Sequence, residues 1–276
     1  MYYCIVNSVP LDLDKRHRVK IVGILNITPD SFFDGGKFCS IDNALAQAFK
    51  MITDGADIID IGGESTRPGH TPISAQEEIA RVTPIFNAIK KEFPNSFLSI
   101  DTYKATVAAA ALELGASMVN DIWGLKFDSN MASVIAKANV PCVLGHNRNT
   151  PLPGHKSDFI DLLKADLRQS VDIALDAGIK KENIILDPNI GFGQKTYKQN
   201  LACIKYVALL KELGYPIYIG ASNKSFIGAI LSKEKDFRLH GTIAANIVAI
   251  ANGASYIRVH DVVAHKDALA MLECLT

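Results

Sequence analysis

Residues 97–121 read FLSIDTYKATVAAAALELGASMVND and contain one complete strand–helix–strand unit. The short apolar run Phe97–Ile100 predicts a strand, because it ends at once in a charged residue. The following segment, Lys104–Leu114, predicts a helix that stops at Gly115, as helices commonly do. A second apolar run, Ser117–Val119, begins directly afterwards. This order is typical of two parallel strands joined by a helix.

The same alternation runs along the whole chain. The predicted strands are Val19–Leu25, Ile58–Ile61, Phe97–Ile100, Ser117–Val119, Cys142–Leu144, Ile184–Leu186, Ile217–Ile219 and Tyr256–Val259. The predicted helices are Ile41–Asp54, Ala75–Glu92, Lys104–Leu114, Asn130–Ala138, Phe159–Ala177, Gln199–Leu213, Gly241–Asn252 and Val262–Leu275. Eight strands alternating with eight helices can form a doubly wound sheet or a closed barrel, and the count favours the barrel. We therefore predict an α/β protein with a single (β/α)8 TIM-barrel domain over residues 1–276.

Composition limits the classes of partner. The 276 residues contain 29 Lys plus Arg and 29 Asp plus Glu, so no overall positive field favours nucleic acid, and we expect no nucleic-acid partner. No apolar run approaches the length of a membrane helix, so we expect no membrane partner. Five scattered cysteines without a C-x-x-C pair are typical of reduced thiols and predict a cytoplasmic protein.

Polar side chains lie at or directly after the end of every predicted strand. In strand order, these residues include Asn26, Asp60, Asp101, Asn120, His146, Asp187, Ser222 and Arg258. Each alone is explained as a helix cap or a turn residue. As a set they indicate an active site, because the carboxyl ends of barrel strands meet at one mouth.

The chemistry of these side chains indicates two kinds of ligand. Three of them suit a flat, nitrogen-rich heterocycle whose N–H groups need acceptors, namely Asp101, Asn120 and Asp187. Lys224 adds a cation at the rim of the mouth. Arg258 and His260 are two residues apart on one strand, so both can face the same side and hold an anion.

Two long polar segments follow the first two strands, namely Asn26–Gly36 and Thr66–Gly69 with the residues after it. Long loops on the catalytic face of a barrel are usually functional, and we interpret both as lids over the mouth.

Several motifs together resemble the dihydropteroate synthase family. They are Leu25–Phe32 with Asp34–Gly36, Asp60–Gly69, Ser99–Thr102, Asn120–Asp121, Asp187–Pro188, Ser222–Gly228 and Arg258–Asp261. The resemblance extends from about the first strand to the eighth, and its first two motifs are highly specific.

The resemblance implies that the chain joins 6-hydroxymethyl-7,8-dihydropterin pyrophosphate to p-aminobenzoate, giving 7,8-dihydropteroate and pyrophosphate for folate biosynthesis. It implies a pterin held by Asp101, Asn120, Asp187 and Lys224. It implies pyrophosphate held by Asn26, Arg258 and His260 with Mg²⁺, Asn26 being the protein ligand of the metal. It places p-aminobenzoate near Thr66, Arg67, Pro68 and Ser222. The catalytic residues that it implies are Asp101, Lys224, Arg258, Asp34 and Arg67. It also implies a homodimer.

The sequence departs from the family pattern at four positions. Asn223 stands in place of Arg, Gln194 in place of Lys, Gly145 in place of Met and Val259 in place of Thr. Two alternatives therefore stay open beside the synthase. One is a paralogue that binds pterin without turnover. The other is a domain similar to pterin-dependent methyltransferases, which would not need the Arg258–His260 pair or the lids.

Overall fold

The computed structural model describes residues 19–27, 36–65, 71–152 and 156–275. The eight strands are β1 (Lys20–Asn26), β2 (Ile58–Gly62), β3 (Leu98–Asp101), β4 (Met118–Asp121), β5 (Cys142–Gly145), β6 (Ile184–Asp187), β7 (Tyr218–Ile219) and β8 (Tyr256–Val259). Every predicted strand overlaps one of them.

All the strands are parallel, and together they close a barrel. Their order in the sheet is β6-β5-β4-β3-β2-β1-β8-β7. Between the two end strands, Leu186 and Ile217 form a parallel bridge, and the Leu186 N–H donates to Pro216 O at 2.9 Å. The predicted (β/α)8 TIM barrel is confirmed.

The helices surround the strands. They are α1 (Gly36–Thr53), α2 (Ala75–Glu92), α3 (Ala105–Glu113), α4 (Met131–Ala138), α5 (Lys156–Asp176), α6 (Tyr197–Lys205), α7 (Val207–Lys211), α8 (Ser225–Leu231), α9 (Leu239–Ala251) and α10 (Val262–Leu275). The predicted helix Gln199–Leu213 is divided at Tyr206, where φ is −113° and ψ is 27°. Neither Gly nor Pro marks that position, so the sequence carries no signal for the division. Helix α8 was not predicted.

Apolar side chains fill two separate regions. One cluster lies inside the lower part of the barrel, that is, toward the amino ends of the strands. It contains Val22, Ile58, Met118, Val143, Ile185 and Tyr218. The other, larger cluster lies between the strands and the helices. Side chains alternate along a strand, so Asp60 and Asn120, two residues after Ile58 and Met118, point into the barrel above the first cluster. The barrel therefore has an apolar base and a polar upper end.

Within the part of the chain that the structure describes, no helix is long and apolar enough to cross a membrane.

Candidate active site

A cavity of about 310 Å³ opens at the carboxyl ends of the strands. Six residues predicted for the site line it, namely Asn26, Asp101, Ser222, Lys224, Arg258 and His260. Its size is sufficient for a small heterocyclic ligand. The strand order brings these residues together, because each lies at the end of its strand or in the loop that follows.

Arg258 is shared between two carboxylates deep in the cavity. Its Nε donates to Asp60 Oδ2 at 2.6 Å, and its Nη2 donates to Asp101 Oδ2 at 2.6 Å. These carboxylates raise the pKa of the guanidinium further, against the effect of burial. Burial also raises the pKa of Asp101 to about 7, while Arg258 opposes that shift. The second oxygen of Asp101, Oδ1, has no hydrogen-bond partner among the described residues.

Asn120 and Asp187 lie at the ends of β4 and β6, which have β5 between them, and neither is among the residues that line the cavity. Asn120 is the register partner of Asp101, and its Nδ2 donates to Asp60 Oδ2 at 2.9 Å. Asp187 Oδ1 accepts the backbone N–H of Asn189 at 2.6 Å. Burial raises the pKa of Asp187 to about 6. Both side chains are almost completely buried, so their polar groups act in a low-dielectric environment.

Lys224 reaches into the cavity from the loop before α8. Its Nζ lies 4.2 Å from the centre of the Phe192 ring. Burial lowers the pKa of Lys224 to about 8, the nearby Arg258 adds to that shift, and Asp187 and Asp101 oppose it. Lys224 therefore loses its proton more readily than an ordinary lysine does.

Ser222 and His260 both line the cavity and contact each other. Ser222 Oγ lies 2.8 Å from His260 Nδ1 and accepts the backbone N–H of His260 at 3.2 Å. Asn26 lines the same cavity from the end of β1. Asn26, His260 and Arg258 are the residues for which an anion was predicted, whereas Ser222 was assigned to p-aminobenzoate.

Four predicted site residues lie outside the described residues, namely Asp34, Thr66, Arg67 and Pro68. Residues that precede and follow the segment 66–70 in the sequence form a buried polar cluster. Lys104 Nζ donates to Glu64 Oε2, to Glu78 Oε2 at 2.7 Å and to Ile73 O at 2.8 Å. Tyr103 Oη donates to Glu64 Oε1 at 2.7 Å. Lys104 therefore connects residues on both sides of this segment.

A second polar network joins the loops that follow β5 and β6. His146 is fully buried, and its Nδ1 accepts from Lys195 Nζ at 2.9 Å. Its Nε2 donates to Asp166 Oδ2 at 2.9 Å. Burial lowers the pKa of His146 to about 4. The imidazole is therefore neutral, with its proton on Nε2.

The four departures from the family pattern have different surroundings. Gly145 packs directly on the loop after β4, since a Cβ there would lie 2.7 Å from Ile122 Cα. Gln194 donates from Nε2 to Asn149 O at 2.9 Å. Asn223 has a φ of 55°. Val259 is fully buried in the cluster between strands and helices, so it does not contact a ligand in the barrel.

The sequence interpretation assigned no role to three charged residues near the cavity. Asp60 bonds two predicted site residues, and both Lys235 and Arg238 line the cavity. Arg238 Nη1 donates to Asn223 O at 3.1 Å, which brings a cation beside the asparagine. Asp60 had been included among the polar residues at the predicted strand ends, but it had been given no individual role. Nothing in the sequence places Lys235 or Arg238 there.

The residues present are compatible with Mg²⁺. Among the described residues, no three His, Cys, Asp or Glu side chains are grouped as metal ligands. Asn26 offers a hard amide oxygen, and the missing side chain of Gly62 leaves space near that Oδ1, since a Cβ there would lie 3.7 Å away. A single protein oxygen suits Mg²⁺, which keeps several waters and takes other ligands from substrate phosphates.

Comparison with known proteins identifies the family. The family model described as "Pterin binding enzyme" matches residues 22–260. The chain is 52% identical to the dihydropteroate synthase of Clostridium beijerinckii over 94% of each chain. The chain belongs to the dihydropteroate synthase family.

Solved structures of dihydropteroate synthases have the same architecture. The enzyme from Clostridium difficile, in the presence of pteroic acid, is similar with a TM-score of 0.88 and 46% identity, covering 94% of this chain and 97% of that one. The Xanthomonas albilineans enzyme with 4-aminobenzoic acid has a TM-score of 0.88 and 36% identity, covering 96% and 94%. The expected family is thereby confirmed, while the individual residue roles stay predictions.

Proposed function

We propose that this member of the dihydropteroate synthase family condenses 6-hydroxymethyl-7,8-dihydropterin pyrophosphate with p-aminobenzoate. The bond between the pterin methylene carbon and the pyrophosphate oxygen breaks, and its electron pair leaves with pyrophosphate. The aniline nitrogen then uses its lone pair to form the new C–N bond and releases a proton to solvent. The products are 7,8-dihydropteroate and pyrophosphate.

Asp101 is the observation that carries this proposal. One of its oxygens is bonded to Arg258, while the other is buried without a partner among the described residues. A buried carboxylate oxygen without a donor is costly, so a ligand that supplies N–H groups stabilises it. The amino and ring N–H groups of a pterin are such donors, and Asn120 and Asp187 offer further acceptors nearby.

Leaving-group stabilisation is proposed for the other side of the cavity. Asn26, Arg258 and His260 would hold pyrophosphate, and Asn26 would hold Mg²⁺. When bound, Mg²⁺ supplies positive charge that stabilises the leaving phosphate oxygens. The pairing of Ser222 with His260 orients this imidazole toward the cavity.

The charges that separate during the reaction develop near fixed protein charges of opposite sign. The positive charge that develops on the pterin methylene group lies near Asp101 and Asp187, while the negative charge on pyrophosphate lies near Arg258 and His260. Preorganised charges of this kind supply a large part of catalysis, because they need no reorientation during the reaction. The proposed site needs no protein nucleophile, since the aniline nitrogen is itself nucleophilic.

The p-aminobenzoate is proposed to bind nearer the surface, at Ser222 and at Thr66, Arg67 and Pro68. The related Xanthomonas albilineans structure contains 4-aminobenzoic acid, which supports this substrate. Asp34 and Arg67 remain proposed catalytic residues. We also propose a cytoplasmic homodimer, to be tested by light scattering of the purified protein.

The test is formation of dihydropteroate by purified protein from both substrates and Mg²⁺, followed by chromatography. Product is expected with the wild type and a rate at least tenfold lower with Asp101→Ala. Pterin binding without product would instead support the non-catalytic paralogue. Methyl transfer from a methylpterin would support the second alternative.

A further inference from the structure

We propose that Asp60 is a positioning residue for the pterin, which orients Asn120 and Arg258 from beneath the cavity. The inference rests on the proposed function, because its readout is the binding of pterin. Asp60 is fully buried on β2 and, like Asn120, is not among the residues that line the cavity, whereas Arg258 is one of them. Asp60 therefore acts through the side chains that it holds.

The first of these side chains is Asn120. Its Nδ2 donates to Asp60 Oδ2 at 2.9 Å. A carboxylate only accepts hydrogen bonds, so this contact determines which end of the amide faces Asp60. The carbonyl oxygen of Asn120 is consequently directed away from Asp60, where it can accept an N–H group of a ligand. Without Asp60 the amide is free to rotate and present its donor end instead.

The second side chain is Arg258. Its Nε bonds the same oxygen, Asp60 Oδ2, at 2.6 Å, while Nη2 bonds Asp101. Two carboxylates on different strands therefore fix the plane of one guanidinium. Because Arg258 is shared with Asp60, Asp101 receives only part of its charge, and the remaining oxygen of Asp101 keeps acceptor strength for the pterin. A single atom, Asp60 Oδ2, thus holds both Asn120, a proposed acceptor for the pterin, and the cation Arg258.

The stability of the fold does not explain why a carboxylate lies at position 60. Its neighbour along the strand, Ile58, belongs to the apolar cluster in the lower barrel, and Asp60 Oδ1 has no partner among the described residues. A buried ion pair is often no more stable than well-packed apolar side chains of similar volume. A role in orienting the binding groups explains why a charge lies at this position.

The experiment measures the Kd for pterin and the KM for p-aminobenzoate separately. Asp60→Asn keeps the size and one acceptor but removes the charge, and Asp60→Ala removes both. Calorimetry with 6-hydroxymethyl-7,8-dihydropterin is expected to show a Kd raised by about tenfold for Asp60→Asn and more for Asp60→Ala. The KM for p-aminobenzoate should stay within about twofold of the wild type. Thermal unfolding identifies which of the two variants is folded, and either one suffices.

Ser99→Ala is the matched control. Ser99 is the register partner of Asp60 on β3, and its buried Oγ has no hydrogen-bond partner in the described part of the chain. This variant should bind pterin as the wild type does. A double-mutant cycle gives the decisive readout, because Asp60→Asn should weaken binding much less when Asn120→Ala is already present.

Three outcomes would overturn the proposal. They are unchanged pterin affinity in a folded Asp60 variant, equal losses for both substrates, and fully additive effects in the cycle. If the wild type binds pterin but makes no product, the proposed synthase activity fails while the role of Asp60 is still measured by the pterin Kd.

Discussion

Arg258 Nη2 lies 2.6 Å from Asp101 Oδ2 while Arg258 Nε lies 2.6 Å from Asp60 Oδ2, so one guanidinium serves two buried carboxylates. Asp101 therefore receives only part of the neutralising charge. Burial together with the neighbouring Asp60 and Glu78 raises its pKa to about 7, against the effects of Arg258 and Lys224. The protonation state of this proposed pterin contact thus changes near neutral pH.

The affinity for dihydropterin should fall as the pH is lowered from 8 to 6.5. The pKa of Asp101 is raised, so the carboxylate form predominates above about 7 and takes up a proton below it. A protonated carboxyl is a weaker acceptor for the N–H groups of the ligand. Calorimetry should show a Kd that rises with falling pH, at most about tenfold per pH unit for one group.

Asp101→Asn is the control for this pH dependence. Its affinity should be lower than that of the wild type and should not fall further between pH 8 and 6.5. Asp187 has a pKa of only about 6, and Lys224, with a pKa of about 8, becomes more charged over this range, which opposes a loss of affinity. An equally steep pH dependence in this variant would show that another group, or the ligand itself, titrates.

Lys104→Met should strongly destabilise the protein. The ammonium group lies between Glu64 and Glu78, which are nearly inaccessible to solvent. Removing it leaves two buried carboxylates without their cation, which typically costs about 3–5 kcal/mol. Urea unfolding at pH 7.5 measures the loss. The loss should shrink at pH 5, because the pKa of Glu78 is already raised by burial and protonation removes its charge.

Lys50→Met is the matched control for Lys104. Lys50 pairs with Asp54 on the exposed surface of α1, and exposed pairs contribute about 1 kcal/mol or less. Similar losses in the two variants would contradict the assignment of the Lys104 cluster as a buried charge centre.

The fold was predictable because its signals are local. Runs such as Phe97–Ile100 are short and apolar, and glycines such as Gly115 end the helices between them, so each unit could be recognised separately. Helix α8 was missed because it begins directly after Lys224, within a motif that had been interpreted by its chemistry. Its seven residues are too few for a periodic pattern.

The candidate site was predictable only in part. The polar residues at strand ends converge on the mouth for any parallel barrel, which is why Asp101, Lys224 and His260 could be placed together. The pairing of Arg258 with Asp60 depends on the register between β1, β2 and β8, which single strands do not reveal. Arg238 reaches the cavity from the start of α9, and no strand end marks it.

The stability of the wild type should decline between pH 6.5 and about 4 partly because of His146. Its pKa is lowered from 6.5 to about 4 by burial, so in this range the unfolded chain takes up a proton that the folded one does not. This difference costs up to about 1.4 kcal/mol per pH unit. In His146→Gln the decline measured by urea unfolding should be shallower. The exposed His240 is the control, and His240→Gln should leave the slope of the wild type unchanged.

Replacing Asn223 by Arg should tighten p-aminobenzoate binding at some cost in stability. The backbone at Asn223 has a φ of 55° and is held on both sides, by Thr242 Oγ1 at 3.1 Å and by Arg238 Nη1 at 3.1 Å. A residue other than Gly, Asn or Asp in this conformation costs about 1–2 kcal/mol. The new guanidinium at the half-buried rim should lower the KM for p-aminobenzoate by about two- to fivefold.

Asn223→Gln separates the charge from the backbone cost. Its side chain brings a similar backbone penalty without a positive charge, so the two variants should unfold at similar urea concentrations. Only the Arg variant should then show the lower KM, and raising the salt concentration should reduce the difference. Equal KM values for Arg and Gln at low salt would contradict the prediction. They would mean that Arg238, which already bonds the backbone at this position, leaves no further gain for a second cation.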